Sequence, residues 1–401
     1  MLPALSADEQ RHSQAVADFI RTKMAESGGG VLSFEEFMRH ALYAPALGYY
    51  SAGSVKLGAG GDFVTAPEIS DLFSRCVADQ CAQVLAETGG QILELGAGTG
   101  RMAAVVLEAL AERGPLPERY AILEVSADLA ERQRARINAL PVALRERVVW
   151  LDRLPDTPIK GVILANEVLD ALPFRRFVLR QGRVVELGVG VAAPALAASA
   201  GHAGRDHATA FAERDMAPST DLQSAWNGIA CELPEALSDG YRSEICLAVE
   251  PWIAGIGASL DRGVLLLFDY GLPRSHYYHP QRVDGTLLCH FKQLAHSDPF
   301  VNLGVQDITA WVDFTRVAEA AVAAGLDVMG FVTQAAFLLA TGIEQLTAAS
   351  TDVVERVQRA GEARRLLMPG EMGESFKVIA LGKGYDAALK GFSLQDLRRS
   401  L

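Results

Sequence analysis

The sequence predicts an α/β fold with a doubly wound, mostly parallel sheet, and three observations carry that prediction. The apolar run Ile92-Leu93-Glu94-Leu95 leads into Gly96-Ala97-Gly98-Thr99-Gly100, with helix-forming sequence from Arg101 to Arg113. Further on, Tyr120-Ala121-Ile122-Leu123 ends in Glu124. After that, apolar runs go on alternating with helical stretches. A strand, a glycine turn, a helix and a second strand ending in an acid form the pattern of a nucleotide-type cofactor site. The alternation implies parallel strands joined by right-handed crossovers.

Taken in order, residues 6–43 read as two amphipathic helices. Ser6 with Glu9, and Ser33 with Glu36, are capping-box pairs that open them, and Gly28-Gly29-Gly30 breaks the chain between. Residues 43–70 are irregular yet keep Tyr43, Tyr49, Tyr50, the glycines around Ala59, Phe63 and a Pro67-Glu68 turn. Such long loops are more often functional than idle, so 1–70 is read as an N-terminal helical segment with an active-site loop. A helix from Asp71 to about Glu87 precedes the glycine-loop strand. Helix 126–138, strand 147–151 and strand 160–165 follow. Residues 176–179 and 183–187 read as a hairpin around Gln181-Gly182. Residues 192–245, Ala-rich and then polar, fit neither the sheet nor a helix pair. The stretch 174–245 is therefore read as an insertion, a substrate or lid subdomain over the carboxyl edge of the sheet. The core, 71–173, resumes over 246–385. Gly263–Asp269 is its central strand, and Leu326–Val332 with Phe376–Leu381 form a final pair at an antiparallel edge.

With 401 residues, 50% of them hydrophobic and 21% charged, the chain exceeds one ordinary core and has the composition of a soluble enzyme. A formal net charge of −12 without a basic tract argues against nucleic-acid phosphates and favours a cationic partner. Cys76, Cys81, Cys231, Cys246 and Cys289 are odd in number and show no C-x-x-C spacing, so neither a disulfide framework nor structural zinc is expected. No apolar run is long enough to span a bilayer, so no membrane insertion is expected. Asp8 and Glu9 stand where a signal peptide would be apolar. The expected location is the bacterial cytoplasm, and a homo-oligomer is compatible with the sequence.

Charge selects the cofactor. A dinucleotide site usually reads G-x-G-x-x-G, because a pyrophosphate lies on the amides of the helix N-terminus. Here the spacing is G-x-G-x-G, and Glu94 stands two residues before the first glycine, where it would repel a pyrophosphate. It suits S-adenosyl-L-methionine (SAM), which carries an ammonium and a sulfonium and gives S-adenosyl-homocysteine as product. Glu124 is placed to accept the ribose hydroxyls. A dinucleotide and a ligand-free turn are the alternatives.

A buried strand, Val162–Ala165, ends in Asn166 and Glu167 at the edge where open α/β sheets bind ligands. Glu167 and Asp170 would share a face of a helical turn and clamp a cation. An arginine is the natural candidate, since its planar fork matches carboxylates. Helix capping is the duller role. Asp269, ending Leu266-Leu267-Phe268, is either functional or a structural cap. Downstream, Thr286, His290, His296, Asp298 and Asp307 follow no metal-site spacing, so no metal is expected and a loop lining the substrate channel is the reading. Met102, Met368 and Met372 read as packing.

Together, Thr65-Ala66-Pro67-Glu68-Ile69-Ser70, Glu94 to Gly100, Asn166-Glu167-x-x-Asp170-Ala171-x-Pro173, Asp269-Tyr270-Gly271, Gly285-Thr286-Leu287 with His290, and Asp307-Ile308-Thr309 resemble the MidA family of SAM-dependent methyltransferases. The resemblance runs from about Phe34 to Leu381. It implies a class I methyltransferase fold, Rossmann-like with seven strands. For the family's mitochondrial members it implies symmetric dimethylation of an arginine in a core subunit of respiratory complex I. Carried over by position, Glu94, Gly96, Gly98 and Glu124 would hold SAM, with Asn166 and Glu167 between SAM and substrate and the Pro67–Ser70 loop closing over both. Gly100, Asp152 and Asn166 complete the expected cofactor set. Glu167, Asp170, Asn166 and Glu68 form the expected catalytic set.

Methyl transfer from a sulfonium is an in-line displacement, so most of its catalysis is orientation. A guanidinium stays protonated and is a poor nucleophile. A carboxylate pair would hold its charge on the far nitrogens and leave electron density on the attacking one. The expected function is N-methylation of an arginine in a partner protein. Two rivals stand beside it: a non-catalytic SAM-binding assembly chaperone, which needs no carboxylate pair, and a small-molecule methyltransferase, which needs no insertion at 174–245.

Overall fold

The computed structural model describes residues 2–52, 64–192 and 211–401. Seven strands follow one another across the main sheet: Asp327–Thr333, Phe376–Lys383, Leu260–Leu272, Ile159–Asn166, Gln91–Leu95, Tyr120–Leu123 and Val148–Leu151. A short strand, Val312–Asp313, adds beside the end of Leu260–Leu272. Phe376–Lys383 runs antiparallel to both neighbours and the remaining pairings are parallel, as the sequence predicts. The order of connection reverses between Gln91–Leu95 and Ile159–Asn166, which opens a crevice at the carboxyl ends of those strands.

The central strands are apolar throughout because both faces are covered. Val264, Leu266 and Phe268 pack on one face with Ile92, Leu164 and Val378, under helices Asp71–Thr88 and Arg101–Arg113. Leu265 and Leu267 point the other way, with Leu93, Ile163 and Ile379, under helices Val249–Ala258 and Phe314–Ala323. Each such fully buried side chain contributes about 1.5–3 kcal/mol.

Both N-terminal helices, Ala7–Glu26 and Phe34–Tyr43, carry the reciprocal capping boxes expected of Ser6–Glu9 and Ser33–Glu36. Between them lies a strand that sequence periodicity did not disclose. Val31–Ser33 pairs with residues 188–190 of Arg183–Val191. It thereby joins a second sheet with Arg175–Arg180, Arg242–Ile245 and Phe211–Met216. The hairpin expected around Gln181-Gly182 is present.

The expectation for 192–245 is corrected: Phe211–Met216 and Arg242–Ile245 are strands, and Thr220–Glu232 is a helix across the sheet. The Ala-rich part of that stretch lies outside the described residues. The strands were hidden because their charges pair with each other. Glu213 accepts from both Arg176 and Arg242, which removes the apolar alternation that marks a strand. Residues 288–309 form a third, three-stranded sheet, Leu288–Phe291, Leu294–His296 and Asp307–Thr309. The N-terminal helices pack on both smaller sheets through Phe37, Leu42, Val189, Cys289 and Ile308.

Candidate active site

At the carboxyl ends of the central strands lies a cavity of about 460 Å³, within the range of small-ligand sites. Part of its wall is built by the glycine turn. Gly96 and Gly98 have φ of 64° and 54°, the left-handed region that a side chain disfavours. A Cβ on Gly96 would stand 3.3 Å from Val168 Cγ2. Gly100 is also left-handed and caps helix Arg101–Arg113, but it abuts Gln133 and is no part of the cavity wall.

Glu94, Gly96, Gly98 and Glu124 all line the cavity. Glu94 is 1% exposed, and its Oε2 accepts a 2.7 Å hydrogen bond from the Tyr120 hydroxyl. Burial pushes its carboxyl up to about 7, against the lowering effect of that bond and with a smaller upward push from Glu124. Glu124 accepts from the Ser126 backbone N–H at 2.8 Å and from Gln133 Nε2 at 2.9 Å. Asp152 is exposed and does not line the cavity, so it is not brought to the other cofactor-site residues.

Gln133 was missed by sequence reasoning. It is fully buried, and its amide Nε2 donates both to Glu124 and, at 3.0 Å, to the Gly98 carbonyl. Its Oε1 accepts from the Trp150 indole at 3.0 Å. One side chain thus fixes the glycine turn against the Glu124 carboxylate. A lone polar residue on the inner face of helix Ala127–Asn138 is the signal that could have found it. Trp252 and Ile256, on the cavity wall from helix Val249–Ala258, gave no comparable signal.

Glu68, Asn166, Glu167, Tyr43 and Tyr50 also line the cavity. Glu167 has φ of 53°, so the chain after Asn166 leaves the strand through a strained turn and not a helix. The expected shared helical face is therefore corrected. Asp269, wholly buried, explains the turn: its Oδ2 accepts from the backbone N–H groups of Leu169 and Asp170 at 3.0 and 3.3 Å. Asp269 is a positioning residue for the turn. Asp170 does not line the cavity, and its Oδ2 accepts from the Tyr270 hydroxyl. It acts on Glu167 only by charge.

Burial, then the charge of Asp170, pushes Glu167 up to about 8, opposed by hydrogen bonds from Asn166 and the Ala66 backbone. Asp170 is itself raised by burial, to about 6. Asn166 Nδ2 donates to Glu167 Oε1 at 3.0 Å, and its buried Oδ1 has no partner among the described residues. Glu68, in the short helix Ala66–Ile69, accepts from the Thr99 hydroxyl, and its carbonyl accepts from Arg101 at 2.8 Å. The loop is thereby tied down on the glycine turn. The glycines around Ala59, and Phe63, lie outside the described residues.

The downstream histidines and aspartates do not line the cavity. His290, His296 and Asp307 sit on the three-stranded sheet, and Asp307 accepts from the hydroxyl of the cavity-lining Tyr50 at 3.0 Å.

This donor set fits SAM. Glu94 offers an anion to an ammonium, Glu124 two oxygens to ribose hydroxyls, and the unpartnered Asn166 Oδ1 an acceptor beside Glu167. The left-handed glycines keep Cβ atoms out of the way.

The family model described as "Putative S-adenosyl-L-methionine-dependent methyltransferase" matches residues 76–332. A solved structure from Burkholderia thailandensis, with S-adenosyl-homocysteine bound, is similar at a TM-score of 0.91 and 39% identity, covering 100% of both chains. A native crystal structure from the same organism gives 0.88 and 38%, again over 100% of both. The Protein arginine methyltransferase NDUFAF7 homolog of Drosophila melanogaster is 29% identical over 415 residues, 96% of this chain and 89% of the relative. Its counterpart from Danio rerio is 27% identical, over 88% of this chain and 83% of the relative.

Proposed function

This chain belongs to the SAM-dependent methyltransferase family whose model it matches, and we propose that its methyl acceptor is an arginine of a partner protein, which it dimethylates. The observation that carries the reading is Glu167: a carboxyl group on the wall of the cavity, pushed up to about 8 by burial and then by the charge of Asp170. A guanidinium arriving there supplies the missing positive charge and the hydrogen-bond donors that favour the ionised carboxylate. The names of the Drosophila melanogaster and Danio rerio relatives support the same acceptor.

Bound SAM supplies a methyl group already activated by its sulfonium. The residues of the chain orient and charge-balance the acceptor. Glu167 holds the far nitrogens of the guanidinium, while Asn166 steadies Glu167 through its amide N–H. Each transfer would exchange the methyl–sulfur bond of SAM for a methyl–nitrogen bond, leaving S-adenosyl-homocysteine, and would free one N–H proton, which Glu167, ionised beside the guanidinium, is placed to take. Asp170 acts on Glu167 by charge, and Glu68 assists from the loop.

A core subunit of respiratory complex I is the first partner to test, following the resemblance to the MidA family. The purified protein is incubated with methyl-labelled SAM and that subunit from the same cell, and the hydrolysate is analysed for methylarginines. Label in dimethylarginine supports the reading. Label confined to another residue type defeats it.

A further inference from the structure

Carboxylates attract any cation, so Glu167 and Glu68 do not by themselves separate an arginine from a lysine. Two side chains on the same cavity wall have the shape to do so. Tyr43 and Tyr50 both line the cavity, and their rings stack with centroids 5.4 Å apart and planes 21° apart. Both hydroxyls are tied. Tyr43 donates to the Ala171 carbonyl at 2.8 Å, on the turn that carries Glu167. Tyr50 donates to both oxygens of the buried Asp307 at 3.0 Å. Tyr49, fully buried, meets the Tyr50 ring edge-on at 5.1 Å and backs it. The pair is therefore a fixed aromatic surface locked to the carboxylate's own turn. Burial and the charge of Asp307 hold both phenols well above their ordinary range, so each ring stays neutral.

We infer that Tyr43 and Tyr50 form a wall that selects a flat, delocalised cation over a compact one, which makes them specificity-determining residues for a guanidinium acceptor. The inference rests on the arginine reading given above. A guanidinium is weakly hydrated and stacks on aromatic faces while its edge meets carboxylates, whereas an ammonium keeps its water and gains little from a ring.

Ethylguanidinium and ethylammonium, equal in charge and differing in shape, are the probes. Each is titrated into the full chain saturated with S-adenosyl-homocysteine, and binding is read by protein NMR. The wild type should prefer ethylguanidinium by about 5- to 30-fold, the range expected of a cation on an aromatic face. In Tyr43→Leu and Tyr50→Leu the preference should fall toward unity while S-adenosyl-homocysteine binding, the control for folding, is kept. Tyr50→Phe, which keeps the ring and loses the tie to Asp307, should retain most of it. Equal binding of the two probes by the wild type overturns the inference, and needs no variant to fold. So does a preference that survives in a folded Tyr43→Leu/Tyr50→Leu double variant. Methylation of arginine by a protein with no ethylguanidinium preference would remove the wall and leave the arginine reading standing. A clear preference with no arginine methylation would remove that reading instead.

Discussion

Replacing Gln133 by Leu should weaken cofactor binding although Gln133 is not itself on the cavity wall. Leucine fills nearly the same volume, so the packing of helix Ala127–Asn138 survives. Three hydrogen bonds do not: to Glu124, to the Gly98 carbonyl and from the Trp150 indole. The first is charge-assisted and is worth about 1.5–3 kcal/mol. Its loss frees the carboxylate that would hold the ribose, and loss of the second loosens the turn beneath the ligand. Affinity for S-adenosyl-homocysteine should fall about 10- to 100-fold. The half-buried Gly98 carbonyl and Trp150 indole lose their partner, and folding stability should fall by about 0.5–1.5 kcal/mol for each lost bond. Calorimetric titration gives the first quantity and denaturant unfolding the second. A folded Gln133→Leu protein that binds S-adenosyl-homocysteine as tightly as the wild type would refute the reasoning.

Glu124→Ala should weaken S-adenosyl-homocysteine by about 1–3 kcal/mol, the cost of ribose hydroxyls without their acceptor, and the same calorimetry checks it. Gly98→Val should bind more weakly still, because a branched side chain is forced into the left-handed region at φ 54° and into ligand space. Stability without ligand should fall as pH rises from about 6.5 to 8, a shift measurable by thermal melts at stepped pH. The folded state keeps Glu94 and Glu167 protonated up to about 7 and about 8, whereas the unfolded chain has released both protons by then. The native state thus binds more protons across this window, and each group lowers stability by at most about 1.4 kcal/mol per pH unit. Below 6.5, His40, His290 and His296, whose pKa values are lowered by burial, work in the opposite direction. Saturating S-adenosyl-homocysteine, whose ammonium favours ionised Glu94, should flatten the slope.

The glycine turn, Glu94, Glu124 and the strand ending in Asn166 were legible because they are local. One strand, one turn and one period of apolar residues define them. The same holds for the capping boxes at Ser6 and Ser33. What stayed hidden depends on contacts between distant segments. Val31–Ser33 becomes a strand only against residues 188–190. Gln133 gains its role only when its helix lies on the Gly98 turn. The turn after Asn166 resembles a helix start in sequence. It is diverted because Asp269, from the neighbouring strand, captures the Leu169 and Asp170 amides. Asp170 is consequently turned to Tyr270 and does not line the cavity. The aromatics of residues 43–50 were visible as an unusual loop, but their place beside Glu167 was not.

The most direct test of an arginine acceptor held by Glu167 is methyl transfer from labelled SAM by the Glu167→Gln protein, with the labelled residue identified after hydrolysis. The amide is nearly isosteric, so the fold and S-adenosyl-homocysteine binding should persist. Loss of the charge acts mainly in the transition state and should lower turnover far more than binding. The account predicts dimethylarginine from the wild type and at least about a 100-fold slower appearance of label with Glu167→Gln, the lower range for loss of a positioned acid–base group. Wild-type turnover in a folded Glu167→Gln protein would contradict it.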